Sequence, residues 1–274
     1  MAINGCELRV IEYLIDSLAK SLGRRPRTLL LGYPDILVLE QTFSNLNLSI
    51  DWSGIPKRKN CRDVWSNHGR DFGDYPMCES KALLNALGSE CVVVDALSWG
   101  GEDFVVDLNL PLSESQRIEL GSFDLIIDPG TVEHCFNIAQ AFLNIDRLVA
   151  PSGFVYHQAA VAFPNHGFWS ISPTAFFDFY DSRNFVLGAP YVWRGTCDQE
   201  GFEPKFNAID PFAAILGVST PLTGSFIFQA PSREHAVSQN TPFPIQRCYS
   251  NKPRNLPLRD YCATALPKSH LVPQ

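Results

Sequence analysis

The sequence lacks any apolar run approaching the roughly 20 residues that a bilayer crossing requires, so no membrane-spanning helix is expected and the membrane is not an expected partner. Its opening, Met1 to Leu8, lacks the charged-then-apolar layout of a signal peptide, and the expectation is a cytoplasmic chain. There is no basic run with interleaved aromatics. With a formal net charge of −7 and a pI near 5.4, the chain repels a phosphate backbone, which excludes nucleic acid from the expected partners. The eight cysteines, at positions 6, 61, 78, 91, 135, 197, 248 and 262, contain no CxxC pair and no short Cys/His spacing of the kind zinc uses. They are expected to be reduced thiols, several of them buried in strands and helices, and no metal site is expected. Internal repeats and low-complexity tracts are also missing.

What is present suffices for a core: 274 residues, 45% of them hydrophobic. Residues 6–22 place Leu8, Ile11, Leu14, Ile15, Leu18 and Leu22 at helical spacing, which predicts an amphipathic first helix. RTLLLGYPD, from Arg27, is too short and too apolar for a helix and is ended by Gly32 and Pro34, so it reads as a buried strand. Residues 46–76 dissolve into a polar stretch and read as an inserted loop or lid. A helix over 78–87, stopped by Gly88, leads into the strand ECVVVDAL. Two further strands, EDFVVDLN and FDLIIDPG, follow. A helix is expected over 131–148, stopped by Pro151 and Gly153 before the strand GFVYHQAAV. Another helix over 172–180 has Ser172 as cap and Pro173 in its first turn. PYVWRG and GSFIFQA read as an antiparallel pair that closes the sheet.

Alternating strands and helices of this kind build a parallel sheet between two helical layers. The expected fold is an α/β, Rossmann-like three-layer sandwich, mostly parallel, with an antiparallel C-terminal strand pair. One domain is expected over 1–230. From Pro231 to Gln274 the chain is proline-rich and without periodicity, and reads as an extension.

Three successive strands end in an aspartate, at Asp95, Asp107 and Asp128. In open α/β sheets the ligand crevice lies outside the carboxyl ends of the strands, where a carboxylate can take both hydroxyls of a ribose. A strand-end aspartate can equally cap the next helix, but three in succession point to a nucleoside-bearing ligand. No GxGxxG follows the first strand, which argues against a dinucleotide.

The ordered set LLLGYPD, VVVDAL, EDFVVDLNLPL, FDLIIDPGTVEH, LVAPSGFVYH and NHGFWSISPTAFFDFY resembles the class I S-adenosylmethionine-dependent methyltransferases, in particular the members with GT.EH and HGF..(F/I)SP..F motifs. The resemblance covers about residues 27–185. It implies S-adenosyl-L-methionine as cofactor, with Gly32, Tyr33 and Asp35 beside its amino-acid portion and Asp95 on the ribose hydroxyls. It further implies Asp107 and Leu108 framing the adenine, and Asp128, Pro129 and Gly130 close to the sulfonium. The sequence departs from the pattern at the first turn, where Gly32-Tyr33-Pro34-Asp35 replaces GxGxG and puts a ring and a rigid proline where the backbone passes the cofactor.

Removal of a proton from a hydroxyl acceptor calls for a base, and histidine is the usual one. His134, at the entrance of the helix after the fourth strand, is the first candidate, with Glu133 able to orient it or to contact the cofactor, and His166 in NHGF is the second. His157 sits in an apolar run and reads as core. His68, with Trp52, Trp65 and Tyr75, belongs either to a lid or to the small core of the 46–76 segment. The expected activity is O-methylation of a small-molecule or sugar hydroxyl. N-methylation and a catalytically silent binding or scaffold protein stand as alternatives. A homodimer is left open.

Overall fold

The structure is a computed structural model describing residues 1–98, 101–194, 206–213, 221–232, 243–244, 246–247 and 257–271. From the start of the chain, β1 (Ala2–Ile3) leads into α1 (Gly5–Leu22), then β2 (Arg27–Leu31) and β3 (Asp35–Ile36). Three short helices follow, α2 (Glu40–Asn45), α3 (Cys61–Asn67) and α4 (Ser80–Ala86). Next come β4 (Glu90–Asp95), β5 (Phe104–Val105), α5 (Glu114–Leu120), β6 (Phe123–Pro129), α6 (Ile138–Leu148), β7 (Val149–Ala162) and α7 (Pro173–Asp181). The remaining elements are β8 (Val186–Leu187), β9 (Tyr191–Arg194), β10 (Asn207–Ala208), β11 (Leu222–Gln229) and α8 (Tyr261–Ala265).

Five strands run parallel in the order β5-β4-β2-β6-β7, which counted along the chain is 3-2-1-4-5. β11 adds antiparallel to β7, β9 to β11 and β10 to β9, while β8 also pairs with β11. This is the mixed, mostly parallel Rossmann-like sheet, with the expected antiparallel pair of PYVWRG and GSFIFQA at its C-terminal end. The strand order reverses between β2 and β6, and in such sheets that switch point is where a crevice opens.

Alternation along the strands builds the two faces. In β2, Leu30 joins the core under α1, while Leu29 and Leu31 join the core under α6 and α7. α1 starts at a reciprocal cap: Asn4 Oδ1 accepts the Glu7 N–H at 3.0 Å, and Glu7 accepts the Asn4 N–H at 3.1 Å. It ends at Gly23, whose φ of +66° is the left-handed conformation that glycine adopts most easily.

Four local features differ from expectation. The helix expected over 131–148 is broken: Val132–His134 forms a 3-10 turn, and α6 begins only at Ile138, where Asn137 caps it by accepting the Gln140 N–H. Asn137 is itself fixed by Asn109, so the cap is anchored to the neighbouring loop. α5 was not expected, although Ser113 and Gln116 form its capping box. Ser172 precedes α7 in extended conformation, yet its side chain makes no capping bond, and Pro173 sets the first turn. Asp107 stands two residues beyond β5, which ends at Val105.

Residues 46–76 carry α3, and Trp52, Ile55, Val64 and Trp65 bury in the same core as Leu8, Ile11 and Leu14 of α1. Within the C-terminal extension, α8 places Tyr261, Cys262 and Ala265 in that core too. Most of the extension between 233 and 256 lies outside the described residues. The six cysteines within them are buried, and no disulfide joins them. Among the described residues no helix is long and apolar enough to cross a membrane.

Candidate functional site

Two cavities meet at the carboxyl edge of the parallel strands. The first, of about 300 Å³, is lined by Gly32 after β2, Asp95 at the end of β4, Asp107 and Leu108 beyond β5, and Thr131 and His134 beyond β6. Five of the residues singled out from sequence thus face one hollow. The second, of about 350 Å³, is reached by Pro129, Gly130, Glu133, His166 and His68, with Asn4, Glu7 and Gln158 among its polar walls. Met1 belongs to both.

Around the first cavity the backbone turns sharply. Gly32 has φ +72° and donates its N–H to the Val94 carbonyl at 2.7 Å, which ties the ends of β2 and β4 together. A Cβ there would lie 2.3 Å from Met1 Sδ, so a side chain at this position would displace the methionine and carry backbone strain. Asp95 is buried, and its two oxygens accept the N–H groups of Tyr33 at 3.2 Å and Leu97 at 3.1 Å. Each oxygen still has a lone pair for a further donor. Asp107 is exposed, with Oδ1 accepting one main-chain and one side-chain N–H of Asn109, which leaves Oδ2 for a ligand.

The remaining predicted residues are directed elsewhere. Tyr33 donates its hydroxyl to Glu79 and lies under the Arg58 guanidinium, and burial, followed by the bond to Glu79, raises its pKa. Asp35 pairs with Arg58 and with His68 Nε2 at 2.8 Å, facing α3. Asp128 is completely buried: Oδ2 lies 2.6 Å from His157 Nδ1, and Oδ1 accepts the Thr131 and Val132 N–H groups at 2.7 and 3.2 Å. His157 in turn lies 2.7 Å from the Tyr180 hydroxyl among the rings of Phe142, Phe176 and Phe228, so it is a core group. Phe176, Phe177 and Phe179 are buried core, whereas Phe168 and Trp169 are exposed.

Glu133, His134 and His166 converge. One ligand atom from each lies within 4.8 Å of the others, and the two imidazole centroids are 5.3 Å apart. The main chain enforces this, because Phe168 and Trp169 donate their N–H groups to the Glu133 carbonyl at 2.9 and 3.3 Å, holding the 163–170 loop against the 3-10 turn. Phe163 stacks on His166 at 4.5 Å. Burial, then the charge of Asp128, raises Glu133 to about 8. Burial, then the Met1 ammonium, lowers His166 to about 4 and lowers His134 as well.

The sequence reading missed two features. Met1 sits at the switch point, its Sδ 2.8 Å from the Thr131 hydroxyl, which donates to the Leu31 carbonyl at 2.6 Å. The second cavity is built from residues as distant as Asn4, Glu133 and Gln158, and no local spacing announces it.

No family model matches the sequence, and no curated protein matches it. Among solved structures, the chain is similar to the N-methyltransferase NodS from Bradyrhizobium japonicum WM9, with a TM-score of 0.39 and 12% identity over 80% of this chain and 94% of that one. It is similar also to the MccD protein, with a TM-score of 0.35 and 12% identity over 80% and 97% of the two chains. At these values the fold assignment rests on the strand order above.

Proposed function

We propose that this chain is an S-adenosylmethionine-dependent methyltransferase that methylates a hydroxyl of a small polar acceptor, such as a sugar. The observation that carries the reading is the first cavity, where Gly32, Asp95, Asp107 and Leu108, drawn from three strand ends, line one hollow at the switch point. Its donor set fits an adenosine. Buried Asp95 retains acceptor capacity for vicinal hydroxyls, Asp107 Oδ2 can accept from an exocyclic amine, and Leu108 offers an apolar face. When bound, the cofactor supplies an electrophilic methyl group on a cationic sulfur.

The second cavity supports a polar acceptor. Asn4 Nδ2, Gln158 Oε1 and Glu133 Oε2 are buried there without hydrogen-bond partners among the described residues. Such groups are costly when unpaired and become favourable when a ligand pairs them. His134 lines the first cavity and His166 the second, so an imidazole stands on each side of the passage to receive the acceptor's proton. Holding the acceptor in line contributes about 7 to 11 kcal/mol in such displacements.

A second reading, a binding protein without catalysis, draws on Met1, whose side chain occupies the switch point between Gly32 and Thr131. Calorimetric titration with S-adenosylhomocysteine separates the two. Micromolar binding that is lost in Asp95→Ala supports the enzyme, whereas no binding at millimolar ligand overturns it.

A further inference from the structure

We propose that Glu133, His134 and His166 form a binding site for a first-row divalent transition-metal ion at the junction of the two cavities. Two imidazoles and one carboxylate present their ligand atoms within 4.8 Å of one another, and this ligand set suits ions such as Zn²⁺, Fe²⁺ or Mn²⁺ better than Mg²⁺. Three protein ligands leave coordination positions open to a water or substrate oxygen. Sequence spacing hides the set, since Glu133 and His134 are adjacent and His166 comes from a separate loop.

A second observation points the same way. The Glu133 side chain is 2% exposed, and its Oε2 is buried with no hydrogen-bond partner among the described residues. Its other oxygen accepts the Ala160 N–H at 3.3 Å and lies 3.9 Å from His166 Nε2. A buried carboxylate oxygen without a donor is expensive, and a cation beside it would remove that cost.

The backbone is shaped to keep the three together. Gly130, at φ +86°, passes under the Glu133 carboxylate, where a Cβ would come within 3.0 Å of Oε1. A Cβ on Gly167 would lie 2.8 Å from the Glu133 carbonyl oxygen, so the loop carrying His166 can close on the turn only because that residue is glycine.

The site stands on its own geometry, and only its use in catalysis rests on the methyl-transfer reading. There the ion would coordinate the acceptor's oxygen and lower the pKa of its hydroxyl, whose proton passes to solvent. The imidazole lone pairs would then be engaged as ligands, and the acidity would come from the cation.

The test is calorimetric titration of the full, metal-stripped chain with ZnCl₂, alongside the absorption spectrum with Co²⁺. The expected result is one ion per chain at micromolar or tighter affinity, loosened at least about 100-fold in the His134→Ala/His166→Ala double variant with loss of the Co²⁺ bands. Both histidines are only partly covered and reach the surface, so the double variant should keep its fold, which circular dichroism checks. Affinity equal in the two proteins, or no Zn²⁺ binding tighter than millimolar, overturns the site. Asp95→Ala should keep Zn²⁺ while losing S-adenosylhomocysteine. A wild-type chain that binds Zn²⁺ but not S-adenosylhomocysteine therefore overturns only the methyl-transfer reading, and the converse overturns only the metal site.

Discussion

Asp95, Asp107 and Asp128 look alike in sequence, each following a short apolar run, yet the folded chain treats them differently. Asp95 and Asp107 face the first cavity, whereas Asp128 turns inward to His157 and two main-chain N–H groups. The difference lies in the partner strand, because β7 places His157 directly opposite Asp128, and a one-dimensional pattern does not state which residue stands opposite. Gly32 and Leu108 were implied by the family resemblance, and Asp95, Asp107 and His134 were legible from the apolar runs that mark the strands before them. Glu7 was not, since helical spacing gave no sign that a carboxylate would be enclosed at the first turn of α1. Burial raises it to about 8 from its ordinary 4.5, against the hydrogen bond from the Asn4 N–H. Between those values the folded chain holds a proton that the unfolded chain has released. Stability from this group is therefore full below about pH 4.5 and is lost as the pH rises through 8. Glu7→Gln should remove that slope, so that urea midpoints of variant and wild type converge near pH 5 and separate in favour of the variant at pH 8. Parallel curves for the two proteins would exclude Glu7 as the source.

Apolar periodicity identified α1, β2, β4, β6, β7 and β11, and shorter runs bounded by glycine, proline or a cap identified α4, β5, α7 and β9. α5 escaped for a physical reason: it has seven residues and buries only Leu120, so its capping box is the main local signal, and periodicity carries little. The break before α6 arises from hydrogen bonds contributed by Asp128 and Asn109, both outside the helix. That break matters, because it turns Glu133 and His134 onto a 3-10 turn facing the 163–170 loop. The glycine at position 167 sets how closely turn and loop approach. Gly167→Ala puts a methyl group against the Glu133 main chain, and overpacking of this kind costs about 1–3 kcal/mol. Urea denaturation should show that loss, and Zn²⁺ affinity should fall about tenfold as His166 moves away. S-adenosylhomocysteine affinity should stay unchanged, because Gly167 does not line the first cavity. An unaltered Zn²⁺ affinity would mean that the loop is not what positions the ligand.

At the scale of the whole molecule, the sheet order brings two halves of the chain together at the switch point, where Met1 lies against Gly32 and Thr131. β1 fixes that position by pairing with β3, where the Asp35 N–H reaches the Met1 carbonyl at 3.2 Å and the Leu37 N–H reaches the Ile3 carbonyl at 2.9 Å. A ligand in the first cavity therefore contacts β2, β4, the segment after β5 and the turn after β6 at once, and it can bind well only while all four are in place. Such a ligand stabilises the folded chain by mass action, about 2.7 kcal/mol at one hundred times its Kd. For a chain of this size that corresponds to a rise in Tm of about 5 to 10 °C. Differential scanning fluorimetry with S-adenosylhomocysteine should show this rise in the wild type and none in Asp95→Ala. The binding-protein reading, with Met1 permanently closing the switch point, requires a flat response in both. A rise of equal size in both would place the ligand away from Asp95, and the assignment of the first cavity as the adenosine site would fall with it.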